Sequence, residues 1–307
     1  MSADLIQQCF FLLGPTAVGK TELAVSLAEH IGGEIVGADA FQVYQGLDLL
    51  SAKPSPAQQA RVPHHLVGEI PLSQAFDVAQ YRALAVPRMA AILERGRIPI
   101  ICGGTGMYVR ALTHGLAELP PADSTLRAEL EKESLPTLVA RLRELDPAAC
   151  VDEKNPRRVI RALEVCLLSG RPFSASRAEW KNEPPVHGVI LDRPREQLLE
   201  RIAARTQGLF AAGVVEEVAA TGDVGPTAAQ MLGLREIRAL LAGSLTRAQC
   251  VEAITIATRQ YAKRQLTWFR RERAYAWVDL ARTANPLEDL VRLAEPMVAR
   301  SGGDSPP

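Results

Sequence analysis

The residues Gly14, Pro15, Thr16, Ala17, Val18, Gly19, Lys20 and Thr21 follow the spacing G-x-x-x-x-G-K-[ST]. A loop of this kind curls so that several backbone N–H groups face one anion, and a helix starting behind it adds a favourable dipole. Lys20 supplies a point charge to phosphate oxygens, and the Thr21 hydroxyl can sit on Mg²⁺. The loop alone does not say which phosphate it holds. Most proteins that use it act on nucleoside triphosphates and place a carboxylate at the end of an inner strand for the metal. Here the apolar run Ile98–Cys102 ends in Gly103-Gly104-Thr105-Gly106, without Asp or Glu. The nearest carboxylate is Asp39, which has the makings of a metal ligand, a turn cap or a general base.

These residues need a scaffold, and the spacing of apolar residues outlines one. Cys9–Leu13 is a short apolar run stopped by Gly14-Pro15, as expected of a buried parallel strand. Thr21–Ile31 has helical periodicity through Leu23, Leu27 and Ile31, and Gly32-Gly33 ends it. Glu34–Ala38 and Ile98–Cys102 are further strands, with a helix over Asp77–Arg95 between them. From about Leu119 to Val186 the segments are helix-like, and Pro120-Pro121 and Pro184-Pro185 punctuate the two ends. Val189–Leu191 returns to a core strand. Helices follow at about Arg195–Ala212, Thr227–Ala242 and Thr246–Arg273, and Tyr275–Leu280 is a last strand. The expected fold is α/β: a P-loop NTPase-like parallel sheet flanked by helices, with a helical insertion domain. The core takes residues 1–118 and 187–300, the insertion takes 119–186, and the tail 301–307 is expected to be disordered.

The 307 residues are 47% hydrophobic and 23% charged, with a formal net charge of +0. No global field draws such a chain to nucleic acid or membrane, so an anionic partner must be held by local basic patches. Two segments qualify. Arg157, Arg158 and Arg161 fall on one helical arc, with Val159, Ile160, Leu163, Cys166 and Leu167 on the other side. Arg259, Lys263, Arg270 and Arg273 form a second arc, opposite Tyr261 and Trp268. Both arcs suit an RNA backbone. Trp268 and Phe269 are expected in the core rather than stacked on bases, and His64-His65 to be engaged in packing or hydrogen bonding rather than metal binding. The five scattered cysteines suit a reducing cytoplasm, and no apolar run nears the roughly 20 residues that span a bilayer. No apolar surface stripe is left over for self-association, so a monomer is expected.

The motifs also carry a resemblance. G-P-T-A-V-G-K-T, A-D-A-F-Q-V-Y-Q-G-L-D (Ala38–Asp48), A-K-P (Ala52–Pro54) and P-H-H-L (Pro63–Leu66) resemble segments of the tRNA dimethylallyltransferases. So do G-G-T-G-M-Y (Gly103–Tyr108), R-R-V-I-R-A-L-E-V (Arg157–Val165) and T-R-Q-Y-A-K-R-Q-L-T-W-F (Thr258–Phe269), all in family order. The resemblance implies that the loop Gly14–Thr21 grips dimethylallyl diphosphate, with Lys20 and Mg²⁺ neutralising the departing diphosphate. It implies that Asp39 is the base for the exocyclic amine of the adenosine 3′ of the anticodon, in tRNAs reading codons that begin with U. It further implies that Thr105 and Arg127 lie near that adenosine. Asp39, Ala40, Phe41 and Gln42, and Arg157, Arg158, Val159, Ile160 and Arg161, would contact the tRNA anticodon stem-loop. The chain departs from the family pattern at Ala40 (usually Ser), Leu50-Ser51 (Gly-Thr), Leu234 (aromatic) and Arg157 (Gln).

Three other functions share parts of this pattern. An adenylate isopentenyltransferase would use the same donor on a free nucleotide and need no RNA grip. An ATP-dependent small-molecule kinase would want the carboxylate missing after Cys102. An RNA-binding module with a vestigial loop would have no use for intact Gly14, Gly19, Lys20, Thr21 and Asp39.

Overall fold

In the computed structural model, residues 3–117, 119–175 and 186–301 are described. The expected tail lies outside them apart from Ser301, which ends the last helix. The chain divides into two compact units, Met1–Thr113 with Pro184–Pro307, and His114–Glu183.

The first unit is built on a six-stranded, all-parallel sheet. Its elements in chain order are α1 (Ala3–Gln7), β1 (Phe10–Leu13), α2 (Lys20–Ile31), β2 (Gly33–Ala38), α3 (Asp48–Ser51), α4 (Pro56–Arg61), β3 (His64–His65), α5 (Val78–Glu94), β4 (Ile98–Gly103) and α6 (Gly106–Thr113). The helices α7 (Ser124–Leu130), α8 (Leu135–Leu145) and α9 (Pro156–Ser169) belong to the second unit. The first unit then resumes with β5 (His187–Asp192), α10 (Arg195–Ala211), α11 (Val214–Ala219), α12 (Leu234–Leu241), α13 (Arg247–Phe269), β6 (Ala276–Asp279) and α14 (Pro286–Ser301). The strand order is β3-β2-β4-β1-β5-β6, with Phe10 of β1 level with Ile100 of β4 and with His187 of β5.

Because β1 is paired on both edges and covered on both faces, it is apolar at every position. Alternate side chains take opposite faces. Phe10 and Leu12 join α2, α10 and α14 through Leu27, Ile202 and Leu290. Phe11 and Leu13 join α5 and α6 through Tyr81, Met89 and Leu112. The parallel order brings the C-terminal ends of β1, β2, β4 and β5 to one edge of the sheet, where ligands bind in open α/β folds.

The expected helix over Thr227–Ala242 is broken. A 3₁₀ turn at Ala228–Gln230 is followed by extended Met231 and left-handed Gly233, and α12 starts only at Leu234. Gly233 is required there, since its φ is 91° and an added Cβ would come within 2.9 Å of Leu50. Helix α13 is shorter than expected and stops at Phe269, so Arg270 and Arg273 lie beyond it. The second basic arc is therefore not one helical face. Phe269 is fully buried as expected, while Trp268 is half-buried and lies against Gly106. The short strand β3 carries the two histidines. His64 Nδ1 faces the Val62 carbonyl at 2.9 Å, and His65 Nε2 lies 2.7 Å from Glu34.

The second unit packs α7, α8 and α9 around Leu130, Leu138, Leu142, Val159 and Leu163. Asp123 caps α7 through the N–H groups of Thr125 and Leu126, and Ser134 caps α8 through that of Thr137. The α9 residue Leu167 is 40% exposed, so the apolar side expected of this helix ends at Cys166.

Candidate active site

The phosphate loop runs from the end of β1 into α2, as its spacing demands. Gly14 has a φ of 151°, and a Cβ there would lie 2.7 Å from the Leu191 carbonyl oxygen. Gly19 is left-handed and caps α2 without a side-chain hydrogen bond, so the first-turn amides of that helix remain available to an anion. Ala17 is also left-handed, at φ 64°. The Lys20 ammonium donates to the carbonyls of Gly14 at 2.9 Å and Pro15 at 2.8 Å. Burial pulls the Lys20 pKa below the ordinary lysine value; Cys102 and Asp39 oppose that shift, and Arg205 adds to it. Burial likewise pushes the Cys102 thiol up to about 11, with Lys20 acting against the rise.

Asp39 follows β2, beside the loop that follows β4. Its Oδ1 accepts the N–H of Phe41 at 2.9 Å and of Gln42 at 3.3 Å. One oxygen of the carboxylate thus caps the turn, and the other is left for chemistry. The Thr105 hydroxyl accepts the Ala40 N–H at 3.0 Å, which ties the β4 loop to the Asp39 turn. The approach is close because Gly103 lies against the Ala38 backbone, where any Cβ would collide. Gln42 turns away from the site and donates to the Ala52 carbonyl at 2.8 Å.

Three arginines and two residues of α13 complete the site; of these the sequence pointed only to Tyr261, as a residue opposite the second basic arc. Arg205 donates to the Thr16 hydroxyl at 2.9 Å. Its own pKa is lowered by burial, against the pull of Asp39. Arg201 and Arg193 donate to the carbonyls of Ala17 and Val18 at 2.8 Å and 3.0 Å. Gln265 accepts the Thr16 N–H at 2.8 Å and donates to the Gly104 carbonyl at 3.0 Å. Tyr261 borders Thr105 and Gln265, and burial, then the Asp39 charge, raises its pKa. A helical face carrying Thr258, Tyr261 and Gln265 at i, i+3 and i+7 was the available signal.

Beside Thr16, Asp39 and Arg205 a pocket opens whose other walls include Leu50, Leu209, Met231, Leu232 and Ile254. Asp39 and Arg205 give this lining its charges, and Leu50, Leu209, Met231 and Ile254 share one apolar cluster. Glu217 fixes the Leu50 wall by accepting the N–H groups of Leu49 at 2.8 Å and Leu50 at 3.0 Å. Leu234, one of the departures from the family pattern, is buried in the cluster behind this wall. For a divalent ion the chain offers the Thr21 hydroxyl in the first turn of α2 and the Asp39 carboxylate. Among the described residues no three His, Cys, Asp or Glu side chains gather as a metal site. Oxygen donors of this kind are those that a hard divalent cation takes.

The other expected contact residues lie in the second unit. Arg157 and Arg158 are exposed on α9. Val159 and Ile160 are core residues, 0% and 5% exposed, so their side chains cannot face RNA. Arg127 and Arg161 both bind the carboxylate of Glu164, whose side chain is 0% exposed, at 2.7 Å and 2.6 Å. The Asp123 N–H completes that carboxylate at 2.7 Å. These two arginines are therefore positioned by a buried anion rather than loose in solvent.

Known proteins resemble the chain over most of its length. The family model described as IPP transferase matches residues 42–272. A tRNA dimethylallyltransferase of Akkermansia muciniphila is 45% identical over 264 residues, covering 85% of this chain and 90% of its own. One from Deinococcus radiodurans is 44% identical, covering 89% of this chain and 92% of its own. The solved tRNA isopentenylpyrophosphate transferase of Bacillus halodurans superposes with a TM-score of 0.68 at 32% identity, covering 96% of this chain and 97% of its own. A eukaryotic dimethylallyltransferase acting on tRNA shares the fold, with a TM-score of 0.81 at 23% identity over 95% of this chain and 79% of its own.

Proposed function

This chain belongs to the IPP transferase family, and from that premise we propose that it is a tRNA dimethylallyltransferase. It moves the dimethylallyl group of dimethylallyl diphosphate to the exocyclic amine of the adenosine 3′ of the anticodon, in tRNAs reading codons that begin with U. The observation that carries this reading is the pairing of a phosphate loop with a carboxylate and a partly apolar pocket at one sheet edge.

The loop amides, Lys20 and Arg205 hold the diphosphate and take up the charge that builds as the allylic C–O bond breaks. The Leu50, Leu209 and Met231 wall receives the five-carbon tail and keeps water from the allylic carbon. The adenine nitrogen forms the new C–N bond, its proton passes to Asp39, and diphosphate leaves. Thr105, hydrogen-bonded to the Ala40 amide, keeps the base turn in register with the acceptor. Mg²⁺, for which the Thr21 hydroxyl is the protein ligand, would supply further neutralisation of the leaving group.

The helical unit holds the anticodon stem-loop, through exposed Arg157 and Arg158 and through Arg127 and Arg161 set by Glu164. The target base is taken out of a single-stranded loop, where unstacking is cheap. We propose a cytoplasmic setting, which the five free cysteines suit; among the described residues no helix is long and apolar enough to cross a membrane. Labelled dimethylallyl diphosphate offered with tRNA, with AMP and with neither, beside an ATP-consumption control, tests the proposal. Label must enter tRNA alone. Transfer to AMP, or ATP consumption without prenylation, would replace this function with one of its rivals.

A further inference from the structure

A loop that turns its N–H groups toward one anion must turn carbonyls elsewhere, and those carbonyls need partners. Lys20 takes the carbonyls of Gly14 and Pro15. The next carbonyls in the loop with side-chain partners are those of Ala17 and Val18. Arg201 Nε donates to Ala17 at 2.8 Å and Arg193 Nε to Val18 at 3.0 Å. Neither guanidinium lies within 4.0 Å of a carboxylate oxygen among the described residues, so no ion pair accounts for their placement. Both lie over the start of α2: a Cβ built on Gly19 would stand 3.6 Å from Arg201 Nη2 and 4.0 Å from Arg193 Nη2.

Ala17 makes the arrangement informative. Its φ of 64° is a left-handed conformation that residues with a Cβ rarely adopt and that persists only where the surroundings impose it. Rotation of Ala17 out of that conformation would swing its carbonyl away from Arg201 and redirect the neighbouring Val18 amide. Arg201 itself is on the exposed side of α10, where core packing gives it no role.

We propose that Arg201 is a positioning residue for the donor, holding Ala17 left-handed through its carbonyl so that the loop is shaped for a diphosphate before one arrives. Arg193 performs the companion task at Val18, where no strained conformation is at stake. This inference rests on the loop being a diphosphate site, and it is independent of what the diphosphate carries.

The test uses inorganic pyrophosphate with Mg²⁺ as the probe, titrated calorimetrically into the full chain. Apparent affinity falls in proportion to the population of the binding-competent loop. Arg201→Met is expected to weaken pyrophosphate about 10-fold, and Ala17→Gly in the same chain to recover all but roughly 2-fold, because glycine enters the left-handed region freely. Arg193→Met is expected to weaken binding without recovery by Ala17→Gly. In the transfer assay the Arg201→Met loss falls on the KM for dimethylallyl diphosphate, not on the KM for tRNA.

Unchanged pyrophosphate affinity in Arg201→Met overturns the proposal. So does a loss that glycine at position 17 does not recover while thermal melting is intact, since Arg201 would then act as a direct ligand of the anion. Equal recovery of the Arg193 variant overturns it too, as the effect would not be specific to the strained residue. Should the pyrophosphate results come out as expected in a protein that prenylates no tRNA, the clamp stands and the functional assignment falls.

Discussion

Gln265, near the end of α13, accepts the backbone N–H of Thr16 at 2.8 Å across 249 positions of sequence. Its amide nitrogen donates to the Gly104 carbonyl at 3.0 Å, next to Thr105. One buried side chain therefore joins the phosphate loop to the loop beside Asp39. Replacing it with Leu takes this partner from the part-buried Thr16 N–H and from the buried Gly104 carbonyl, the latter at about 1–3 kcal/mol. Gln265→Leu should lower the melting temperature and raise the KM for donor. Gln265→Glu keeps the acceptor for Thr16 and sets a negative charge by the diphosphate. Its donor KM should rise further than that of Leu, with less loss of stability. Steady-state kinetics beside thermal melting distinguish the two.

Asp39 has a structural duty and a proposed chemical one, and Asn separates them. Asp39→Asn retains an oxygen for the N–H groups of Phe41 and Gln42 but cannot take a proton. Single-turnover transfer should slow by about 100–10,000-fold, the span typical of a general base. Melting should be nearly unchanged. Transfer by Asp39→Asn at the native rate would remove Asp39 from the chemistry and leave it a turn cap.

Arg205 lies beside the phosphate loop that carries Lys20, and its charge bears on the Lys20 ammonium. Removing a preorganised donor aimed at developing charge costs about 2.7–4 kcal/mol, so Arg205→Met should lower kcat/KM for donor by roughly 100–1000-fold. It should also change the pH profile. Burial lowers the Lys20 pKa and the Arg205 charge lowers it further. With Lys20 acting as the proposed cation, the expected alkaline fall of kcat/KM follows loss of its proton and should move to higher pH once Arg205 is gone. A shift toward lower pH would contradict this coupling.

The helical unit carries its own acid sensitivity. Burial pushes the Glu164 carboxyl up, but hydrogen bonds from Arg161, Arg127 and the Asp123 amide outweigh it and hold it below the usual glutamate value. A carboxylate lowered in the folded state contributes stability that is fully present above its unfolded pKa of about 4.3, and that contribution is lost as pH falls through the folded value. Glu164→Gln should cost about 3 kcal/mol near neutrality, as when one member of a buried ion pair is removed. It should also flatten the acid limb of the unit's stability. Hydrogen exchange on α9 between pH 3 and pH 7 measures both, and tRNA affinity should fall with donor affinity kept.

The parallel sheet was legible because β1 and β4 are short apolar runs stopped by Gly14 and Gly104, a pattern that burial on two faces imposes. The phosphate loop was legible because its geometry needs glycines at fixed spacing. Arg193, just before α10, and Arg201 and Arg205 on it were not, since a charged residue there becomes a loop contact only once that helix is docked. The break at Met231–Gly233 was hidden for a related reason: Gly233 is set by its approach to Leu50, a residue remote in sequence. Val159 and Ile160 show the opposite error. They sit between Arg158 and Arg161 in one stretch of sequence, yet the helix turns them into the core.

The strand order has a bearing on how the chain comes into being. β1 emerges first from the ribosome but lies between β4 and β5, so its second neighbour is not made until residue 187. The brace on Thr16 waits longer still, for residue 265. A nascent chain holds the complete nucleating loop sequence for most of its synthesis without the parts that give the loop its shape. Catalytic competence is thus withheld until translation has almost finished, and a prematurely terminated product lacking α13 would be an inert fragment rather than a weakened enzyme.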